Sequence, residues 1–226
     1  MEVFKDALSE HTLDIFREHH ELFKDKETHN DINNFGIDIR TLMHPGTKAF
    51  DEVKKICQKH FPNVQDNEIY ANYQRQSKPT FLHVDEYGTN RKTKTWTIII
   101  PMHTDDRIGV LLFKDFFNTN DEIQKTIMNF DYDKSRKKSN VSQDYPISHL
   151  PYNYKDVDDK FIDYLDLAGV FTYQLGNYVL FDTNQIHAST DFTVYPEYQQ
   201  KDLVQIHIGP SANEGYNPYH KEKIKI

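Results

Sequence analysis

The apolar period of this chain changes once, at Pro62, and that change constrains the fold more than any other feature. Before it, Leu8, Leu13, Phe16, Leu22 and Phe23 recur at helical spacing among charged residues, which predicts an amphipathic helix over 8–23. A second helix is expected from Thr47, a capping residue type, through Phe50, Val53, Ile56 and Cys57 to His60 or Phe61, where Pro62 cannot continue it. After Pro62, short segments rich in Ile, Val, Thr, Tyr and Phe follow one another at 68–73, 80–85, 94–101, 108–113, 169–174, 177–182 and 203–209. Turn formers such as Pro79, Gly88, Asp105-Asp106, Gly176 and Asp182-Thr183-Asn184 bound many of them, so seven or eight strands are expected. Helices first and strands afterwards mean an α+β chain, a curved sandwich or barrel with helices packed outside.

At 226 residues the chain fits a single domain. Residues 1–65 are expected to be helical support, 66–113 and 169–210 the strand core, 114–168 an insertion that breaks the strand pattern, and 211–226 a C-terminal tail. The 14 Tyr, 15 Phe and one Trp supply enough large side chains to fill an interior despite the charge content. A net charge of -8 argues against a chain whose main partner is a nucleic-acid backbone. Cys57 is the lone cysteine, which removes disulfide frameworks and multi-cysteine metal sites. No stretch is long and apolar enough for a membrane span, and the charged start does not read as a signal peptide, so a soluble, cytoplasmic protein is expected. No phosphate-cradling glycine motif is present.

With 12 histidines the question is which could converge on a metal. On a strand, residues i and i+2 share a face, so His-x-Asp offers an imidazole and a carboxylate side by side. One more histidine from a neighbouring strand would complete the two-His, one-carboxylate triad that holds Fe(II) and leaves positions open. The pattern occurs three times, and context separates the copies. His29/Asp31 lies in a polar loop, and His103/Asp105 reads as a hairpin turn. His83/Asp85 ends a plausible strand, with Phe81 on the same face; on spacing alone it is either a ligand pair or an ordinary polar strand end.

The run Phe81-Leu-His-Val-Asp85, the loop to Lys92, Thr95-Trp-Thr-Ile-Ile-Ile-Pro-Met-His-Thr-Asp-Asp106, and Gly109-Val-Leu-Leu-Phe113 resembles the 2-oxoglutarate/Fe(II) oxygenases, especially the prolyl-hydroxylase-like branch. Beyond the insertion, Val170 to His187 is similar to that family's second block, in which a glycine turn leads into an apolar strand and then the distal histidine. The resemblance spans about 69–209 without the insertion. It implies a double-stranded β-helix, the jelly-roll or cupin-like core, and a hydroxylase using Fe(II), 2-oxoglutarate and O2 on a C–H bond of a small-molecule or peptide substrate. His83, Asp85 and His187 are the implied metal ligands, and retention of the acid at Asp85 favours hydroxylation over halogenation.

The same resemblance makes Lys201, 14 residues past His187, the implied partner of the co-substrate's far carboxylate. Alternation supports this independently. Lys201, Leu203, Gln205 and His207 share one strand face while Val204, Ile206 and Ile208 share the other, so a polar row faces something other than the hydrophobic layer. A barrel lumen or a solvent-facing edge would both explain it. Tyr73, ten residues before His83, matches a tyrosine that borders the co-substrate in prolyl-hydroxylase relatives, and Thr97 could offer it a hydroxyl. His207 is expected to look into the pocket mouth as a substrate contact. Glu86 to Lys92 reads as a gate, and Tyr152 or Tyr154 of the insertion as substrate neighbours. A cupin-like metal enzyme of another reaction class and a noncatalytic β-sandwich binding module are the rival readings.

Overall fold

The computed structural model describes residues 1–25, 37–80, 85, 95–116, 167–183, 185–190, 192, 195, 197 and 200–209. His83, the expected gate loop, the insertion from 117 to 166 with Tyr152 and Tyr154, and the tail lie outside the described residues.

Two helices and nine strands are present among them: β1 (Glu2–Phe4), α1 (Glu10–Phe23), β2 (Ile37–Met43), α2 (Lys48–His60), β3 (Ile69–Gln76), β4 (Trp96–Pro101), β5 (Asp105–Phe116), β6 (Leu167–Tyr173), β7 (Tyr178–Asp182), β8 (Gln185–Ser189) and β9 (Lys201–Ile208). All strand pairings are antiparallel. A six-stranded sheet runs β1-β7-β4-β9-β3-β2, and a three-stranded sheet runs β6-β5-β8.

The helices form where the apolar period placed them. Ser9 caps α1 by accepting the Thr12 N–H at 3.2 Å, and Thr47 caps α2 by accepting the Phe50 N–H at 3.2 Å. Leu13 and Phe16 of α1 and Phe50, Val53, Ile56 and Cys57 of α2 are buried against Ile69, Ala71, Tyr73, Ile98, Ile100, Val204 and Ile206 of the large sheet. Each large side chain so buried contributes about 1.5–3 kcal/mol. Two histidines of α1 then fix its position over β2: His19 Nε2 donates to the Leu42 carbonyl and His20 Nδ1 meets Thr41 Oγ1, each at 2.8 Å.

The other face of the large sheet meets the small sheet. Ile99, Val179, Phe181 and Leu203 from one wall pack with Ile108, Val110, Leu112, Phe171 and Tyr173 from the other, joined by Phe192. Odd-numbered residues of β9 therefore face the space between the sheets and even-numbered ones face the helices.

Three strands were not expected. β1 and β2 come from the segment read as helical support and add both edges of the large sheet. β8 was not among the expected segments; it pairs with β5, with His187 opposite Leu112. The Gly176 turn joins β6 to β7 at φ 82°, and its carbonyl accepts the N–H groups of Ala7 and Leu8, which sets the path from β1 into α1.

Candidate active site

The polar row expected on β9 lines the space between the sheets. β3 and β9 pair so that Tyr70 lies opposite His207, Asn72 opposite Gln205, Gln74 opposite Leu203 and Gln76 opposite Lys201, all on that inner face. On β4 the inner face carries Thr97 and Ile99. From the small sheet, β8 turns His187 and Ser189 inward, two residues apart.

Asp85 is almost fully buried, and its position is fixed from several directions. Its backbone N–H donates to the Thr183 carbonyl at 3.0 Å. Thr97 Oγ1 donates to Asp85 Oδ2 at 2.7 Å, and Gln205 Nε2 donates to Oδ1 at 3.2 Å. Since the one hydroxyl proton of Thr97 goes to the carboxylate, the contact at 3.2 Å from His207 Nδ1 to Thr97 Oγ1 is an N–H donation. His207 also packs face to face with the Tyr70 ring.

His187 Nε2 stands 3.5 Å from Asp85 Oδ1. Its Nδ1 lies 2.9 Å from the Gln185 carbonyl, which only accepts, so Nδ1 carries a proton, and the neutral ring in this tautomer has its lone pair at Nε2. Phe181 braces the ring edge-on at a centroid distance of 4.8 Å. Two donors on adjacent corners of an octahedral ion, each about 2.1 Å from it, are about 3 Å apart, so this imidazole and carboxylate fit a divalent cation with a small adjustment. Among the described residues no group of three His, Cys, Asp or Glu converges as a metal site.

Lys201 occupies the other end of the row. It is 1% exposed, and its Nζ donates to Ser189 Oγ and lies 5.7 and 5.5 Å from the ring centroids of Tyr173 and Phe192. Burial pushes its pKa down to about 7. No carboxylate pairs with it among the described residues. The Tyr173 hydroxyl, also buried, has no hydrogen-bond partner among the described residues. A buried cation with no carboxylate partner among the described residues is an environment suited to an anionic group.

Thus Asp85, His187, Thr97, Lys201 and His207 come together around the space between the sheets. Tyr73 does not. It lies on the outer face of β3, stacked on His20 at 4.1 Å, with its hydroxyl donating to Asp202 at 3.0 Å. Strand parity decides this: Tyr70, Asn72, Gln74 and Gln76 hold the inner face, so Tyr73 belongs to the helix layer and not to a co-substrate pocket. Thr97 is in the site, with its hydroxyl committed to Asp85. Sequence reasoning passed over Ser189, Asn72, Gln74 and Gln76, and gave Gln205 no role beyond its place in the polar row of β9. Asn72 is 0% exposed, and neither side-chain polar atom is bonded among the described residues. The polar, even-numbered row of β3 was the signal for three of them.

No family model and no curated protein matches the sequence. Solved structures do match the fold. A Pseudomonas putida prolyl-4-hydroxylase aligns over 92% of this chain and 90% of its own, at TM-score 0.51 and 9% identity. The non-heme alpha-ketoglutarate-dependent carbocyclase SnoK from nogalamycin biosynthesis aligns over 91% of this chain and 77% of its own, at 0.51 and 13%. The epimerase SnoN from the same biosynthesis aligns over 91% and 75%, at 0.55 and 7%. At these identities the likeness is one of architecture, and the chain has the double-stranded β-helix core that those oxygenases are built on.

Proposed function

We propose that the chain is a 2-oxoglutarate- and Fe(II)-dependent oxygenase. The observation that carries the reading is the inner face itself: Asp85 and His187 present a carboxylate and an imidazole lone pair 3.5 Å apart, while Lys201 is buried in the same inter-sheet space without a carboxylate partner among the described residues. Asp85 and His187 would hold the ferrous ion, with His83 as the third ligand. Iron, 2-oxoglutarate and O2 together supply the oxidising chemistry, which inserts oxygen into a substrate C–H bond as the co-substrate becomes succinate and CO2.

The protein's own part is placement. Lys201, protonated by the arrival of a carboxylate, pairs with the far end of 2-oxoglutarate, and Ser189, which already bonds its Nζ, holds the amine in place. Because His187 and Ser189 share one face of β8, a single strand sets the spacing between the metal corner and the anchor. Thr97 and Gln205 hold the carboxylate of Asp85, and the Gln185 carbonyl holds the tautomer of His187. Phe181, Phe192 and Leu203 exclude water from the space around them. His207, at the Tyr70 end of the row, is the substrate-facing residue. The three similar structures carry names of three different reactions, so hydroxylation rests on the retained Asp85, and the substrate is a small molecule or peptide. No helix among the described residues is long and apolar enough to cross a membrane.

Anaerobic titration with Fe(II) and 2-oxoglutarate tests the reading. A metal-to-ligand charge-transfer band is expected with the native chain, abolished in His187→Ala and His83→Ala and requiring much more 2-oxoglutarate in Lys201→Ala. No band under saturating ligands overturns it.

A further inference from the structure

Three side-chain amides on the inner face form a chain that ends on the metal-binding carboxylate. Gln76 Nε2 donates to Gln74 Oε1 at 2.7 Å, Gln74 Nε2 donates to Gln205 Oε1, and Gln205 Nε2 donates to Asp85 Oδ1 at 3.2 Å. Its direction follows from chemistry. An ionised carboxylate only accepts, so Gln205 must turn its NH2 toward Asp85; its oxygen then faces Gln74, whose oxygen in turn faces Gln76. The terminal acceptor, Gln76 Oε1, is buried and has no hydrogen-bond partner among the described residues, on the strand position opposite Lys201. Gln74 and Gln76 are each 2% exposed. Buried amides cost stability relative to apolar residues of the same shape, and elsewhere this inter-sheet space is filled by Ile, Val, Leu and Phe.

We propose that Gln205 is a positioning residue for the metal-binding carboxylate, and that Gln74 and Gln76 hold its amide in the one orientation that serves Asp85. Gln205 is only half-buried and joined to a flexible stem. Alone, its amide could rotate and present oxygen to the carboxylate, which would push Asp85 away from its place beside His187. With Gln74 donating to its oxygen, that rotation breaks two hydrogen bonds and leaves two oxygens facing each other. The chain therefore transmits the state of the strand position beside the co-substrate anchor to the metal corner. This rests on the metal-site reading above.

The test is Co(II) binding to the whole chain without co-substrate, read by its visible absorption and by titration, in the native protein and in Gln205→Met, Gln74→Met and Gln76→Met, which keep side-chain volume and remove the amide. Gln205→Met is expected to weaken Co(II) about tenfold or more, with Gln74→Met and then Gln76→Met following in decreasing size, and with altered absorption bands. Apo melting temperatures near native separate this from general damage. Should a methionine variant misfold, Gln205→Asn and Gln74→Asn, which keep the amide but shorten its reach, are expected to move affinity the same way. Native affinity and bands in every folded Gln205 variant, while His187→Ala fails to bind, overturn the proposal and leave the metal site standing. Native affinity in the Gln74 and Gln76 variants overturns the chain. Co(II) binding that His187→Ala does not change overturns the metal reading, and the proposal with it.

Discussion

Lys201 Nζ hydrogen-bonds Ser189 Oγ, so the first residue of β9 in the large sheet is tied to the last residue of β8 in the small one. The bond joins a buried amine to a hydroxyl and leaves the charge of the amine without a countercharge among the described residues.

That arrangement makes Lys201 a stability cost in the ligand-free protein. Its folded pKa of about 7 lies below the 10.5 of an exposed lysine, so the unfolded chain binds more protons between those values. Stability of the apo protein should therefore rise with pH through that window, as far as this residue contributes. Lys201→Met should stabilise the apo protein at pH 7 by on the order of a few kcal/mol while removing 2-oxoglutarate binding. Urea unfolding at several pH values checks the first, and the charge-transfer titration the second. Equal or lower stability of the Met variant counts against a desolvated amine.

Co-substrate binding should draw in a proton. Above pH 7 part of the Lys201 population is neutral, and pairing with a carboxylate restores the charged form. Calorimetry at pH 8 in two buffers of different ionisation enthalpy should give different apparent heats, corresponding to net uptake, and 2-oxoglutarate affinity should fall as pH rises further. Buffer-independent heats would contradict it.

Thr97→Val removes the donor to Asp85 Oδ2 and keeps the shape. The expected result is weaker metal binding, about tenfold, with little change in 2-oxoglutarate affinity once metal is saturating. The opposite split would return Thr97 to the co-substrate.

Tyr73→Phe should leave both metal and 2-oxoglutarate affinity unchanged, because the hydroxyl bonds Asp202 on the helix side of the sheet. Its loss should appear in chemical denaturation, as a destabilisation of about 1 kcal/mol.

Much of this was legible in the sequence. Thr47 was readable as the cap of its helix, and the alternation of Lys201, Leu203, Gln205 and His207 set a polar row apart from the apolar face, with a lumen and a solvent edge as the two explanations; the sheet packing selects the lumen. β1 is three residues long, too short for a period to register, whereas β2 opens on the alternation Ile37-Asp38-Ile39-Arg40, a strand signal that was passed over. β8, Gln185-Ile-His-Ala-Ser189, does alternate polar and apolar residues, but it is only five residues long and carries one large apolar side chain, so the alternation was passed over. Tyr73 was misplaced because it was assigned by its distance from His83 along the chain, whereas the parity of β3 is set by its own neighbours. Gln74 and Gln76 were readable by the alternation that supported Lys201, applied one strand over.

The two donors that face each other come from opposite walls: Asp85 is held by Thr97 of β4 and Gln205 of β9 at the centre of the large sheet, and His187 rides on β8 of the small one. An ion gripped between them would act as a clasp across the sandwich. Loading it should slow amide exchange in both β8 and β9 together, so that the ion sets how tightly the two layers close as well as what happens between them.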